Sequence, residues 1–327
     1  MRRLTLILLF LAAIYSGYWV IGAQATERAA ATQISQLQDA GWTVTYDALD
    51  TVGYPSRFDT NVKALRVTTP DQRVTWQAPF IQALSLSYQP NAAILAFAPS
   101  QTVRIDNVPV VIASDGLRAS VKVSPTPALD LDNLTGEVGA LSASAEGQRL
   151  FSLTNGIAAL RKAATGDAQY DAYLDLDGFA LPDPLRAMLD PAGALPSAFG
   201  QVTVDARIGL TQPINRHASD TNPQLTQLAL NGMTIAWGAM QLRGSGTLDI
   251  DDTGTPQGRI TLDADNWQTM LDIAVAAGLL DASLAGTARN MAALLAGGGT
   301  QISVPVSFQN GFMSLGPIPL GPAPKFR

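Results

Sequence analysis

The spacing of apolar residues divides the chain into an N-terminal helix and a long run of strands. From Leu4 to Ala23 the sequence is apolar, without charge or proline, and Arg2 and Arg3 precede it. Twenty helical residues cover about 30 Å, the thickness of the hydrocarbon core of a bilayer. The arginine pair favours a cytoplasmic N-terminus. The pattern therefore predicts that residues 1–25 form a membrane anchor that crosses the bilayer with residues 4–23.

A cleaved signal peptide is the alternative interpretation of the same segment. Ala23-Gln24-Ala25 matches a small-x-small cleavage site. Against cleavage, the apolar stretch exceeds the roughly 7–15 residues of a signal peptide's apolar region, and bulky Tyr18 and Trp19 lie close to the site. Both interpretations place the rest of the chain across the membrane. Residues 26–41 are rich in alanine up to Gly41 and are predicted to form a helical stalk.

From Trp42 onward the apolar residues recur at every second position, which is the period of a half-buried strand. Short gaps with turn residues separate the strands and favour antiparallel meanders. Asn231-Gly232 matches the preferred pair for a tight turn and predicts a hairpin there. We expect a mainly β fold with some α, in which curved antiparallel sheets lie behind a single N-terminal transmembrane helix. The β-rich body covers residues 42–327, as one domain or as two sheet halves that meet near residues 182–196.

Composition limits the chemistry that this body can perform. The chain has no cysteine, which excludes thiol catalysis and cysteine-based metal sites. Only 15% of its residues are charged, while 47% are hydrophobic. The body therefore either has an apolar cavity or a partly exposed apolar face, or covers its surface with uncharged polar residues. A net charge of −6 argues against a nucleic-acid partner.

Pairs of aspartates recur in the strands, and a single histidine lies in a polar loop. Leu174-Asp175-Leu176-Asp177 is one of four copies of the same short pattern, in which both aspartates face one side of a strand. Calcium is one interpretation, but no copy has the glutamate that completes an EF-hand loop. His217 has no nucleophile elbow to support it. We therefore expect no catalytic residue, no metal and no cofactor, and the chain is not expected to be an enzyme.

One segment carries a resemblance to a known family. The motif Gly53-Tyr54-Pro55-Ser56-Arg57-Phe58-Asp59, together with the anchor and Trp76-Gln77-Ala78-Pro79, resembles a family of uncharacterised, N-terminally anchored bacterial envelope proteins, defined as a domain of unknown function. More faintly, the strand from Val304 to Gly311 is similar to the closing strands of AsmA-like envelope proteins. That similarity implies sheets with apolar interiors that handle lipid.

Together these observations lead to an expected function and location. We expect a single-pass protein of the bacterial inner membrane with its body in the periplasm. Its expected function is non-catalytic: it binds or shelters apolar ligands such as lipid, with Leu86 and Ile235 lining the ligand surface. One alternative is a structural or assembly partner of other envelope proteins. A second alternative is a hydrolase whose site has no sequence signature.

The topology can be tested with a reporter protein fused after Arg327. A reporter that works only in the periplasm should be active, because Arg2 and Arg3 hold the N-terminus in the cytoplasm and a single span follows. Activity of a reporter that works only in the cytoplasm would contradict this location. N-terminal sequencing of the mature protein separates the anchor from the signal peptide, since cleavage would leave Thr26 as the first residue.

Overall fold

A computed structural model describes residues 2–191, 193–278, 280–316 and 318–326. The fold is mainly β and antiparallel, behind one apolar N-terminal helix, so the predicted fold class is confirmed. Helix α1 (Arg2–Asp39) is unbroken from the apolar segment through the segment predicted as a stalk. The chain forms two compact units, residues 1–123 with 141–148, and residues 124–140 with 149–327.

The first unit contains α1 and an antiparallel sheet. Its long strand β3 pairs with β1 and β2 on one side and with β4 on the other. Strand β4 then pairs with both β5 and β6, β5 pairs with β8, and β6 leads through β7 to β10. The strands are β1 (Thr43–Thr45), β2 (Ala48–Val52), β3 (Arg57–Thr68), β4 (Val74–Leu86), β5 (Gln89–Phe97), β6 (Ser100–Ile105), β7 (Val108–Ser114), β8 (Arg118–Val123) and, after β9 of the second unit (Leu131–Val138), β10 (Leu141–Ala145).

The second unit contains a longer antiparallel sheet. Strand β9 pairs with β12, and from β12 to β20 each strand pairs with the next along the chain. Its elements are β11 (Gln148–Leu153), β12 (Asn155–Lys162), β13 (Gln169–Asp177), α2 (Asp183–Leu189), β14 (Gln201–Leu210), α3 (Ala218–Thr221), β15 (Leu225–Trp237), β16 (Met240–Ile250), β17 (Pro256–Asp265), α4 (Trp267–Ala276), α5 (Ala285–Leu295), β18 (Gln301–Gln309), β19 (Phe312–Leu315) and β20 (Ile318–Pro322).

Strand alternation gives this second sheet one apolar and one polar face. Across the sheet, Leu174 is in register with Val204, Met233, Gly244, Leu262 and Val304. The neighbouring positions along each strand point to the opposite face and form the row Asp175, Thr203, Thr234, Arg243, Asp263 and Ser303. The pairs Asp175/Asp177 and Asp263/Asp265 therefore belong to the polar face, whereas Asp132 shares the face of Leu134 on β9.

The hairpin predicted at Asn231-Gly232 is wrong. Strand β15 runs unbroken from Leu225 to Trp237, and its register to β14 and β16 shifts at this point. Asn231 is an extra residue in the strand, and its side-chain amide donates to a carboxylate oxygen of Asp205 at 2.9 Å. Asn-Gly thus forms a β-bulge, because the strands on both sides already provide partners for all of β15.

Residues 182–196 lie within the second unit. They hold α2 and the loop after it, and they connect β13 to β14, which pair along their whole length. Asp190 closes this loop by accepting hydrogen bonds from the backbone N–H groups of Ala194 and Leu195. The domain boundaries drawn from the sequence, including two sheet halves that meet here, stay a prediction.

The two ends of the apolar face are covered. At one end, Leu248, Ile250 and Phe308 form a buried cluster against the C-terminal residues Ala323 and Phe326. At the other end, an aromatic series covers the strands, with ring centroids 4.7 to 6.4 Å apart, and its members are Phe151, Phe179, Phe199 and Trp237. The strand ends are therefore buried, while the apolar side chains in the middle of the face stay partly exposed.

Tyr170 provides a test of this packing. Its side chain is fully buried, its hydroxyl oxygen accepts the backbone N–H of Ile214 at 2.8 Å, and burial raises its pKa. Tyr170→Phe should lower the free energy of unfolding by about 1–2 kcal/mol, because that N–H loses its acceptor. Tyr173→Phe, on the exposed face of the same strand, should change it by less than about 0.5 kcal/mol. Equal effects of the two substitutions in denaturant titrations would contradict the assigned faces.

Candidate functional site

The middle of the apolar face in the second unit forms the first candidate site. We name it the apolar band, and its large side chains come from six of the seven strands β12 to β18: Leu160, Leu174, Val204, Leu230, Met233, Leu262 and Val304. All of them are partly exposed. On β16 the band has Gly244, over which the neighbouring side chains pack, since an added Cβ there would lie 3.1 Å from the Met233 methyl and 3.2 Å from Leu262.

The dimensions of the band suit a long apolar chain. With neighbouring strands about 4.8 Å apart, the row from Leu174 on β13 to Val304 on β18 extends over about 24 Å. An acyl chain in one leaflet covers about half of the ~30 Å hydrocarbon core. The backbone of these strands is paired in the sheet, so the band presents only side-chain hydrocarbon and the Met233 thioether.

The polar face of the same sheet holds a shallow pocket of about 470 Å³. Asp171 lies in it and is paired with Arg207 at 2.8 Å and with Arg161 at 3.7 Å. The Tyr173 hydroxyl donates to Asp175, and this hydrogen bond raises the tyrosine pKa. The carboxylate of Asp171 is thus balanced by guanidinium groups, an arrangement typical of structural ion pairs.

The second candidate site lies in the first unit, where the family-like motif contacts α1. The motif forms the tip of the β2–β3 hairpin, and Ser87 lies in the tip of the β4–β5 hairpin. The Ser87 backbone N–H donates to the Ser56 carbonyl at 2.9 Å and joins the two tips. We call the exposed side chains at these turns the hairpin tips, and they are Val52, Tyr54, Leu86 and Tyr88.

Polar and aromatic groups of α1 hold both tips. The Trp19 indole N–H donates to the Arg57 carbonyl at 2.8 Å, and its ring meets Tyr54 edge-on at 5.5 Å. The Tyr15 hydroxyl donates to the Pro55 carbonyl at 2.9 Å. The Tyr18 hydroxyl donates to the Ser87 carbonyl at 2.6 Å. The motif therefore binds the C-terminal half of the apolar segment of α1.

Gly22 allows α1 to pack closely against the motif. The Phe58 ring is buried beside Gly22, and a Cβ at residue 22 would lie 2.5 Å from the ring's Cζ. By contrast, nothing lies within 4 Å of the Cβ position at Gly17. Arg57 and Asp59 form an ion pair at 3.0 Å beside the ring, on strand β3. The predicted motif residues therefore either contact α1 themselves or lie next to a residue that contacts α1.

The two side chains predicted to line a ligand surface belong to different units. Ile235 lies on the apolar face of the second sheet, in register with Val202 and Leu242, and is partly exposed. Leu86 is 37% exposed and lies opposite Arg57, next to the hairpin turn. A role in ligand binding stays a prediction for both residues.

Two findings concern the whole described part of the chain. Helix α1 is long and apolar enough, by its length and composition, to cross a membrane. Among the described residues, no group of three or more histidine, aspartate or glutamate side chains is arranged to hold a metal ion.

Comparison with known proteins identifies a family. Residues 19–324 match the family described as an uncharacterised protein conserved in bacteria, DUF2125. No curated protein matches the chain. The predicted family resemblance is therefore confirmed, while the fainter similarity to AsmA-like proteins is not shown and stays a prediction.

The contact between α1 and the motif can be tested with two glycines of the same helix. Gly22→Leu should displace α1 from the tips, because the new side chain meets the buried Phe58 ring. Faster hydrogen exchange of the backbone amides in residues 53–58, in detergent, would report the displacement. Gly17→Leu adds the same side chain in open space and should leave this exchange unchanged. Equal protection in both variants would contradict the observed contact.

Proposed function

The chain belongs to this family of uncharacterised bacterial proteins, and we propose that it is a non-catalytic, lipid-binding envelope protein. In this proposal α1 anchors it in the inner membrane, its body lies in the periplasm, and the apolar band binds acyl chains. The observation that carries the proposal is the partial exposure of the apolar band on a sheet whose other face is polar. A sheet face of this kind is normally covered by another layer of the protein or by a partner.

The contacts of α1 favour a retained anchor over a cleaved signal peptide. Removal of residues 1–25 would expose the Phe58 ring, which is 4% exposed, and would take away the hydroxyl groups that contact Ser87, which is fully buried. Ala23, at the proposed cleavage site, is itself buried. The two arginines at the start of the chain support a cytoplasmic N-terminus and hence a periplasmic body.

The free energy gained by burying an acyl chain on the apolar band determines which chain lengths can bind. Full burial contributes about 0.8 kcal/mol per methylene, and a chain on an open face has one side buried, which gives about half of that. Sixteen methylenes would then contribute about 6 kcal/mol, against association costs of about 4–15 kcal/mol. Long chains, or lipids with two chains, are therefore the ligand class that this surface favours over short fatty acids.

The proposal is tested by crosslinking in membranes whose lipids carry a diazirine in the acyl chain. Peptides of β14, β15 and β17 should carry crosslinks, and α1 peptides serve as the positive control. Ile235→Asp should abolish the crosslinks to β15, because a carboxylate replaces hydrocarbon on that face. Thr234→Asp places the same charge on the polar face, beside Arg243 in register, and should leave them unchanged.

Circular dichroism distinguishes loss of binding from loss of folding in these variants. Met233→Gln keeps the side-chain length without adding charge and should weaken the crosslinks in a folded protein. Crosslinks confined to α1 in the unaltered protein would contradict lipid binding and favour the structural-partner alternative. Hydrolysis of the lipid during incubation would contradict the non-catalytic part of the proposal.

A further inference from the structure

The β4–β5 hairpin has a composition that the proposed acyl-chain site does not explain. From Val74 to Phe97 it has no charged residue, and neither has the turn between Thr51 and Ser56 in the neighbouring hairpin. Both turns end in exposed apolar or aromatic side chains. Val52 is 49% exposed, Tyr54 56%, Leu86 37% and Tyr88 73%. Tyrosines with an apolar ring and a polar hydroxyl are typical of the boundary between headgroups and acyl chains.

The contacts with α1 fix the position of these turns along the apolar helix. They bind Tyr15, Ser16, Tyr18 and Trp19, whereas the first charge after Arg3 is Glu27. At 1.5 Å per residue, Trp19 lies about 12 Å to the membrane side of Glu27. The helix before the first contact, Leu4 to Ile14, covers only about 16 Å, roughly half of a hydrocarbon core.

If α1 crosses the bilayer, these lengths determine the depth of the hairpin tips in it. A complete span has to include the residues that the tips contact, so the tips lie at the level of the outer leaflet. We propose that the hairpin tips Val52, Tyr54, Leu86 and Tyr88 insert into the outer leaflet of the same bilayer that α1 crosses. The occupant of this surface is lipid, and the first unit rests directly on the membrane.

The charges next to the tips agree with this position. Arg57 is the first charged residue after the β2–β3 turn, and its side chain is 48% exposed while its guanidinium is paired with Asp59. An arginine at this depth can extend toward lipid phosphates while its stem stays among apolar groups. The inference rests on the part of the proposed function that places α1 across the membrane, and it does not depend on the apolar band.

The absence of cysteine makes the depth of single positions measurable in the full chain. Tyr88→Cys and Val52→Cys, each carrying a fluorescent label, are reconstituted in vesicles that contain lipids with a quencher at the headgroup or in the acyl chain. Val108→Cys is the matched control in the same unit. It is 39% exposed and belongs to the opposite end of β4, since Ile105 pairs with both Val108 and Val74. That end is about 40 Å from Leu86 along the strand.

The expected result is a clear separation of the two ends. Labels at residues 52 and 88 should be quenched several-fold more strongly by the lipid-borne quenchers than the label at residue 108, which soluble iodide should quench instead. Leu8→Cys reports the span and should respond to acyl-chain quenchers. If Leu8 responds while residues 52 and 88 behave like residue 108, this inference is overturned and the acyl-chain site is unaffected. If Leu8 does not respond, the span and this inference both fail.

Discussion

The alternation of side chains along a β-strand is the constraint on which the second unit depends. Residues two apart share a face, so the apolar rows of strands β12 to β18 join into one surface. The C-terminal residues cover one end of that surface and the aromatic series covers the other. The middle rows stay partly exposed, and that exposure is the physical reason for proposing an apolar ligand.

For the first unit we propose direct contact with the bilayer. Its uncharged β4–β5 hairpin and the motif around Tyr54 are held by hydrogen bonds and ring contacts to residues 15–19 of α1. A hairpin turn carries backbone groups that need hydrogen-bond partners inside a bilayer. Side chains of α1 provide such partners for the carbonyls of Pro55, Arg57 and Ser87. Insertion of the hairpin tips into the bilayer therefore explains both the uncharged composition of the turns and their contacts with α1.

Much of the fold could be predicted from the sequence, and the failures have physical causes. The period of two identified the strands and the shared face of Asp175 and Asp177, because alternation is a local property. Asn231-Gly232 fits both a tight turn and a bulge, and only the neighbouring strands decide between them. The contact of Trp19 with Arg57 spans 38 residues, so local patterns did not predict it. Ile235 could be assigned to an apolar face, but its exposure depends on how far the helices and C-terminus extend over the sheet.

The most direct measurement of the central claim is the amount of lipid that stays with the body. The full chain, purified from membranes, is compared by native mass spectrometry with a peptide of residues 1–41, which carries only the lipid that surrounds α1. The account predicts lipid adducts on the full chain beyond those of the peptide, because the apolar band supplies about 24 Å of additional hydrocarbon surface. The same adducts on the full chain and on the peptide would contradict it.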